Sequence, residues 1–423
     1  MENGGTGEVD RKANWQAPRR PEWLAALNAE GENLDLQAVV PLDEQSLLAA
    51  AREGTGLSDF GEGYWREPFA ILCRDLNDSA ELNLMGRLMA RSDVLIWLQN
   101  RLQVAELLKR HPEIQDQEIA RPLFIVGLPR SGTSILFEVL SQDPAFGVPQ
   151  TWEAMFPTPP PQAETYTTDP RIERAHNLVT QWNRVVPEFA TMHEMGGRIP
   201  AECGMLMANS FISDHIVSLQ QGLEYAAWYA SADLTPAYEY HRTLLQILQW
   251  KNPRQHWLLK APAHQNYLDV LLKVYPDARI IQTHRDPIKC MASATNMMGC
   301  LYYMRSDKAF DADAFEDFMQ GEATARRLEH VMQQRHSGVV PAQNICDSRY
   351  QDLMQSPLSC VEHIYAHFDM PLTDMARDRM QGYLAAKPKG KFGAHRYAIN
   401  DAEKAERKFF QNYQRAYQVP DEA

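Results

Sequence analysis

The stretch FIVGLPRSGTSIL, residues 124–136, decides the fold. With Pro122 and Leu123 before it, PLFIVG (122–127) is a short, unbroken apolar run, the pattern of a strand buried on both faces of a parallel sheet. Gly127 and Gly132 then have the spacing of the phosphate-binding loop G-x-x-x-x-G-K-[ST], and TSILFEVLSQD reads as a helix. A strand, glycine loop and helix in succession aim backbone N–H groups and the positive end of a helix dipole at one point, which selects an anion. One position departs from the nucleotide-hydrolase form. Thr133 stands where the lysine belongs, and the cation sits earlier, on Arg130.

The same alternation recurs downstream. HWLLK (256–260) precedes NYLDVLLKVY, ARIIQTH (278–284) precedes IKCMASATNM, and NICDSRY (344–350) precedes LSCVEHIYAHF. Strands separated by helices imply an α/β fold, a P-loop-type parallel sheet flanked by helices. We place this α/β domain at 121–400, with a polar, partly disordered segment at 1–40, a helical N-terminal region at 41–120 and a tail at 401–423. In the N-terminal region LDEQSLLAAAREG, SAELNLMGRLMAR and SDVLIWLQNRLQVAELLKRH have apolar residues at helical spacing behind acidic or serine starts. Residues 150–255 form a mostly helical insertion. Its beginning is excluded from regular helix by Pro157, Pro159, Pro160 and Pro161.

Composition narrows the function. Hydrophobic residues at 44% and charged residues at 23% are ordinary for a soluble globular protein. A formal charge of −13 argues against nucleic acid or an anionic membrane as the main partner, so an anion site must be a local basic pocket. No apolar run approaches the ~20 residues of a membrane span, and the first residues lack the apolar core of a secretory signal. The six cysteines show no C-x-x-C spacing, which speaks against zinc or a disulfide framework. These features lead us to expect a cytoplasmic protein.

Phosphoryl-transfer enzymes neutralise several phosphate charges with the loop lysine and a hydroxyl-held Mg²⁺. A sulfuryl group carries one negative charge fewer than a terminal phosphoryl group. An arginine fork with hydroxyls, here Arg130 with Ser131, Thr133 and Ser134, can therefore hold its donor without a metal. Ser131 is a poor candidate for a hydrolase nucleophile, because PRSGT is not G-x-S-x-G.

At this point the motifs resemble a known family. RPLFIVGLPRSGTSIL resembles the 5′-phosphosulfate loop of sulfotransferases that use 3′-phosphoadenosine 5′-phosphosulfate (PAPS). The resemblance implies that Pro129, Arg130, Ser131, Gly132, Thr133 and Ser134 bind this co-substrate. THRDPIKCMASATNM resembles the family's second signature, in which an arginine and a serine eight residues later grip the donor's 3′-phosphate; here they are Arg285 and Ser293. DFGEGYWREP, DPAFGVPQTWEAMFPTPPP, WLLKAPAHQNYLDVLLKVYPDARII and SRYQDLMQSP extend the resemblance to bacterial members with a helical N-terminal extension, over about residues 40–400. Ser134 stands where the family usually has a threonine, and the hydroxyl is kept.

In-line transfer needs a base for the acceptor hydroxyl and cations for the leaving phosphate. The resemblance assigns charge stabilisation to Arg130 and to Lys260 at the end of HWLLK. For the base we rank His264, Glu153 and His193 in that order. His264 is near the family's catalytic histidine, although alignment on Lys260 puts Pro262 there. Glu153 matches the place of the glutamate in tyrosylprotein members, and His193 lies in the insertion. Tyr350 and Arg349 match a strand-end element near the nucleotide, and the basic loop KPKGKFGAHRY offers Lys391, His395 and Arg396 to the 3′-phosphate. Glu202 reads as either structural or pocket-lining.

The Met- and aromatic-rich MASATNMMGCLYYM and ECGMLMANSFIS suit ordinary core or a pocket for a small hydrophobic hydroxyl acceptor, whether alcohol, phenol, steroid or lipid. A homodimer is left open. Two other readings compete: a P-loop nucleotide kinase or NTPase, and a non-catalytic nucleotide-binding scaffold. No metal is called for by the sulfotransferase reading.

Overall fold

The computed structural model describes residues 17–311, 321–386, 399 and 401–422. Five strands form one parallel sheet: β1 (Leu123–Gly127), β2 (Phe146–Gly147), β3 (His256–Lys260), β4 (Arg279–His284) and β5 (Ile345–Arg349). Their order is β2-β3-β1-β4-β5, so the glycine-loop strand is central. Register places Ile125 level with Lys260 on one side and Ile281 on the other, and Gly127 level with Thr283. The loop after β1, Lys260 and Arg285 therefore converge at the carboxyl ends of neighbouring strands, the crevice where such sheets bind ligands.

β1 is buried along its whole length. Leu123 and Ile125 face a cluster with Leu258 and Ile281, covered by Leu136 and Phe137 of the helix Thr133–Leu140 and by Val361 and Ile364 of the helix Pro357–His367. Phe124 and Val126 face the opposite way, into a larger cluster with Trp257, Leu259 and Ile280. That cluster continues without a break to Trp65, Phe69, Leu98 and Leu102, so the N-terminal helices share a core with the sheet. Each such large side chain contributes about 1.5–3 kcal/mol on burial.

Three local expectations are revised. SAELNLMGRLMAR and SDVLIWLQNRLQVAELLKRH form one helix, Leu84–Arg110, capped by Asn83, whose side chain accepts from Gly86 N. Ser92 and Asp93 lie inside it because no glycine or proline breaks the chain between Gly86 and Pro112. Within the segment expected to be polar and partly disordered, residues 1–16 lie outside the described residues and Glu22–Gly31 is a helix, with Leu24 buried against a cluster containing Met85 and Met89. The stretch from Glu202 to Ser231 is broken into the short helices Cys203–Met207, Asp214–Leu219 and Leu223–Ser231. Phe211 sits between the first two at φ 62°, a left-handed conformation that cannot continue a helix. The proline-rich start of the insertion is non-helical, as expected.

Candidate active site

The loop is tied down from behind. Ser131 Oγ donates to Leu128 O at 2.6 Å and lies 2.6 Å from Thr283 Oγ1 on β4. Gly127 has φ 146°, and a Cβ there would fall 2.1 Å from Thr283 Oγ1, so only glycine lets β1 turn this close to its neighbour. The Ser131 hydroxyl is thus spent on holding the loop, and Ser131 is buried away from the cavity, whereas Pro129, Arg130, Gly132, Thr133 and Ser134 line it. The left-handed turn at Arg130 (φ 69°) and Gly132 (φ 100°) brings the chain into the helix beginning at Thr133. Its first N–H groups are oriented for an anion.

The two signatures meet in space. Arg130 Nε donates to Ser293 Oγ at 3.2 Å, and Arg285 Nη1 donates to Arg130 O at 2.9 Å. Ser293 lies on the helix Pro287–Tyr303, whose start is capped by Asp286 through Ile288 N. The Arg285 guanidinium stacks over the Tyr350 ring at 3.9 Å and pairs with both carboxylate oxygens of Glu422, at 2.8 and 2.7 Å. Lys391, His395 and Arg396 lie outside the described residues.

A second polar line runs from the loop into the insertion. Lys260 Nζ donates to Ser134 Oγ at 3.2 Å and to the carboxylate of Glu202. Glu202 Oε1 lies 3.9 Å from His193 Nε2. His193 Nδ1 is 3.0 Å from Glu194 O, an atom that can only accept, so Nδ1 carries the hydrogen and Nε2 is left on the Glu202 side. The His193 ring stacks on Phe189 with 6.3 Å between centroids. Burial opposes ionisation of Glu202, but the Lys260 charge outweighs it and holds the carboxyl well below its usual range. Asp214 shows the converse. Burial and the nearby Glu202 charge push its carboxyl up to about 6.

The other two base candidates are placed elsewhere. His264 is buried, its Nδ1 2.7 Å from Tyr238 OH and its ring edge-on to Phe124 at 5.3 Å. Burial lowers its pKa to about 3, and the ring is turned from the cavity that Pro262, Ala263, Gln265 and Asn266 line. Glu153 is fully buried as part of a helix cap. Oε2 accepts from Gln150 N at 2.8 Å and Tyr166 OH at 3.0 Å, and Oε1 pairs with Arg254 at 3.0 Å. Burial raises its pKa, opposed by Arg254. Its oxygens are committed, and it does not line the cavity. Glu202 was only weakly legible from local pattern, because 58 positions separate it from Lys260 and no spacing rule joins them.

Around these groups lies a cavity of about 500 Å³. One end holds Arg130, Thr133, Ser134, Arg285 and Tyr350, and the remainder is largely apolar, with Phe189, Met205, Met291, Met297, Met298 and Tyr267 in its wall. A smaller cavity of about 50 Å³ shares Trp182, Met205 and His215 with it and is walled by Ile96 and Trp97 of the long N-terminal helix. Among the described residues, no cluster of three or more His, Cys, Asp or Glu could hold a metal ion, and no helix is long and apolar enough to cross a membrane.

A central parallel strand, a lysine-less phosphate loop and a second arginine–serine pair beside it define the P-loop-like class of group transferases. Residues 122–374 match the Sulfotransferase family model, and the chain belongs to that family. It is 25% identical over 283 residues to omega-hydroxy-beta-dihydromenaquinone-9 sulfotransferase Stf3 of Mycobacterium bovis and of Mycobacterium tuberculosis. That match covers 62% of this chain and 66% of each relative, so it spans just under two thirds of their length. The crystal structure of sulfotransferase STF1 from Mycobacterium tuberculosis H37Rv is similar, with TM-score 0.73 and 30% identity over 87% of this chain and 98% of that one. Sulfotransferase STF9 from Mycobacterium avium gives TM-score 0.78 and 27% identity over 89% and 97% of the two chains.

Proposed function

We propose that this protein moves a sulfuryl group from PAPS to a hydroxyl of a small, hydrophobic acceptor. The observation that carries the reading is the convergence of Arg130, Ser293 and Arg285 on the glycine loop, with Lys260 against Ser134 on its other side. These groups fit a donor with charge at two places. The loop N–H groups, Arg130 and Lys260 suit the 5′-phosphosulfate, and Arg285 with Ser293 suits the 3′-phosphate. The co-substrate supplies an activated sulfuryl group. The acceptor oxygen bonds to sulfur as the bond to the nucleotide's phosphate breaks.

The chain's own residues hold, shield and move a proton. Arg130 and Lys260 offset charge on the transferred group and the departing phosphate. For the acceptor's proton, His193 replaces His264 and Glu153 as first choice, because it alone of the three lines the cavity. Its Nε2 takes the proton, and the Glu202 carboxylate 3.9 Å away stabilises the imidazolium that forms. The apolar wall excludes water from the sulfuryl group and fits an acceptor with a hydrophobic body. A relative whose name gives a hydroxylated menaquinone as its acceptor supports that class.

Thermal-shift measurement with 3′-phosphoadenosine 5′-phosphate against ATP tests the reading. The sulfotransferase predicts preferential stabilisation by the former, weakened in Arg285→Ala and Ser293→Ala. Preferential stabilisation by Mg²⁺-ATP with ATP turnover would favour a kinase or NTPase. Nucleotide binding without transfer to any of a broad panel of hydroxyl acceptors would favour a scaffold.

A further inference from the structure

Arg285, to which the proposed function gives the donor's 3′-phosphate, already holds an anion from its own chain. Nε and Nη2 donate to Glu422 Oε1 and Oε2 at 2.8 and 2.7 Å, the two-point geometry a guanidinium also offers a phosphate. The carboxylate is delivered by a docked segment. Glu422 N donates to Asp286 Oδ2 at 2.7 Å, and Asp421 is ion-paired with Arg407 and accepts from Gln414 Nε2 at 2.8 Å. Val419 is buried in a cluster with Ile288, Phe410 and Tyr413. The segment 419–422 is therefore seated at the start of the helix that carries Ser293, with Glu422 reaching the phosphate-binding arginine.

We propose that Glu422 is an internal competitor for the 3′-phosphate subsite, pairing with Arg285 when no nucleotide is bound and displaced when one is. This rests on the donor assignment above. A nucleotide with a 3′-phosphate must displace Glu422 from Arg285 as it makes its own pair, so its apparent affinity falls to the fraction of molecules in which Arg285 is open. A nucleotide without that phosphate makes no such demand. PAPS and its desulfonated product carry the same 3′-phosphate, so the competitor weakens both. Its return onto Arg285 speeds release of the product while the arginine's charge stays covered throughout.

The test measures dissociation constants and dissociation rates of 3′-phosphoadenosine 5′-phosphate and of ADP for wild type, Glu422→Gln, Glu422→Ala, Arg285→Ala and the Arg285→Ala/Glu422→Ala double variant. Both Glu422 variants should bind 3′-phosphoadenosine 5′-phosphate about tenfold more tightly and release it more slowly, with ADP binding unchanged. The gain should vanish when Arg285 is absent, as expected of two residues competing through one site. Melting temperatures identify any variant that has lost its fold, and the Gln variant keeps the backbone contact to Asp286. If Arg285→Ala weakens the 3′-phosphorylated nucleotide but the Glu422 variants bind it no better, the competitor role is overturned and the donor assignment stands. Equal tightening of ADP would also overturn it, because the effect would then be general electrostatics. If Arg285→Ala leaves 3′-phosphoadenosine 5′-phosphate binding unchanged, the donor assignment fails and the competitor falls with it.

Discussion

The ammonium of Lys260, at the end of β3, is ion-paired with the carboxylate of Glu202 from the insertion and donates to the Ser134 hydroxyl of the loop. The Lys260 side chain is only 3% exposed, so Glu202 and Ser134 stand in for the water it has lost. The pair joins the glycine-loop side of the cavity to the His193 side.

Replacing Lys260 should therefore act twice. In Lys260→Met the rate constant for sulfuryl transfer should fall about 10²- to 10³-fold, from the loss of a cation aimed at developing charge. Glu202, a third exposed, loses its main partner, and stability should drop by about 1–3 kcal/mol. Steady-state kinetics with a denaturant melt checks both. A variant with wild-type turnover removes Lys260 from the chemistry.

The base assignment separates four variants. His193→Ala should lower kcat about 10²- to 10⁴-fold with 3′-phosphoadenosine 5′-phosphate binding intact, and Glu202→Gln should lower it in the same way to a smaller extent. His264→Ala and Glu153→Gln should instead lower the melting temperature while folded enzyme keeps its rate within a few fold. The reason is that they remove a buried hydroxyl partner and a buried Arg254 partner, respectively. Loss of rate in folded His264→Ala, with His193→Ala unaffected, would restore His264 as the base.

Gly132→Ala should damage the donor site selectively. The position has φ 100°, and a Cβ would lie 2.9 Å from Tyr350 Cδ2, pressing on the ring that stacks against Arg285. We expect 3′-phosphoadenosine 5′-phosphate to bind at least tenfold more weakly, with a stability loss of about 1–3 kcal/mol. Calorimetric titration beside a thermal melt would expose an unaltered site.

Stability should fall as pH drops below about 6.5. Burial lowers the pKa of His215 to about 4, of His241 and His264 to about 3, and also lowers that of His284. The unfolded chain takes up protons on these rings near pH 6.5, while the folded chain keeps His215, His241 and His264 neutral down to about 4, 3 and 3, so each of these three disfavours folding by about 1.4 kcal/mol per pH unit across that range, and His284 acts in the same direction. Asp214, pushed up to about 6, and Glu153, also raised by burial, bind protons in the fold first and oppose the trend, but between pH 6.5 and 5 Asp214 alone faces three histidines with large downward shifts. Melting temperatures between pH 7 and 5 should decline, and less steeply in His241→Gln.

Much of the fold was legible because its signals are local. PLFIVG is apolar throughout since β1 is buried on both faces, and the glycine loop, Arg285 and Ser293 each belong to a strand end or the helix after it. Less was legible where contacts between distant segments overrode local cues. Ser92 and Asp93 resemble a helix start, yet they lie within a single helix, and β2 is a two-residue strand defined only by pairing with β3. In the candidate site, Ser131 has the same hydroxyl as Thr133 and Ser134, and only the nearness of β4 assigns it to Thr283 instead of the cavity.

The sequence by itself determined the parallel α/β frame and the glycine loop after β1, because hydrophobic runs, glycine spacing and strand-to-helix order act within a few residues of one another. Tertiary structure alone decided which of His264, Glu153 and His193 reaches the cavity, what Lys260 touches, and that Glu422 pairs with Arg285. Those outcomes depend on burial and on partners 58 and 137 positions away, distances over which charge and packing act only after the chain has folded.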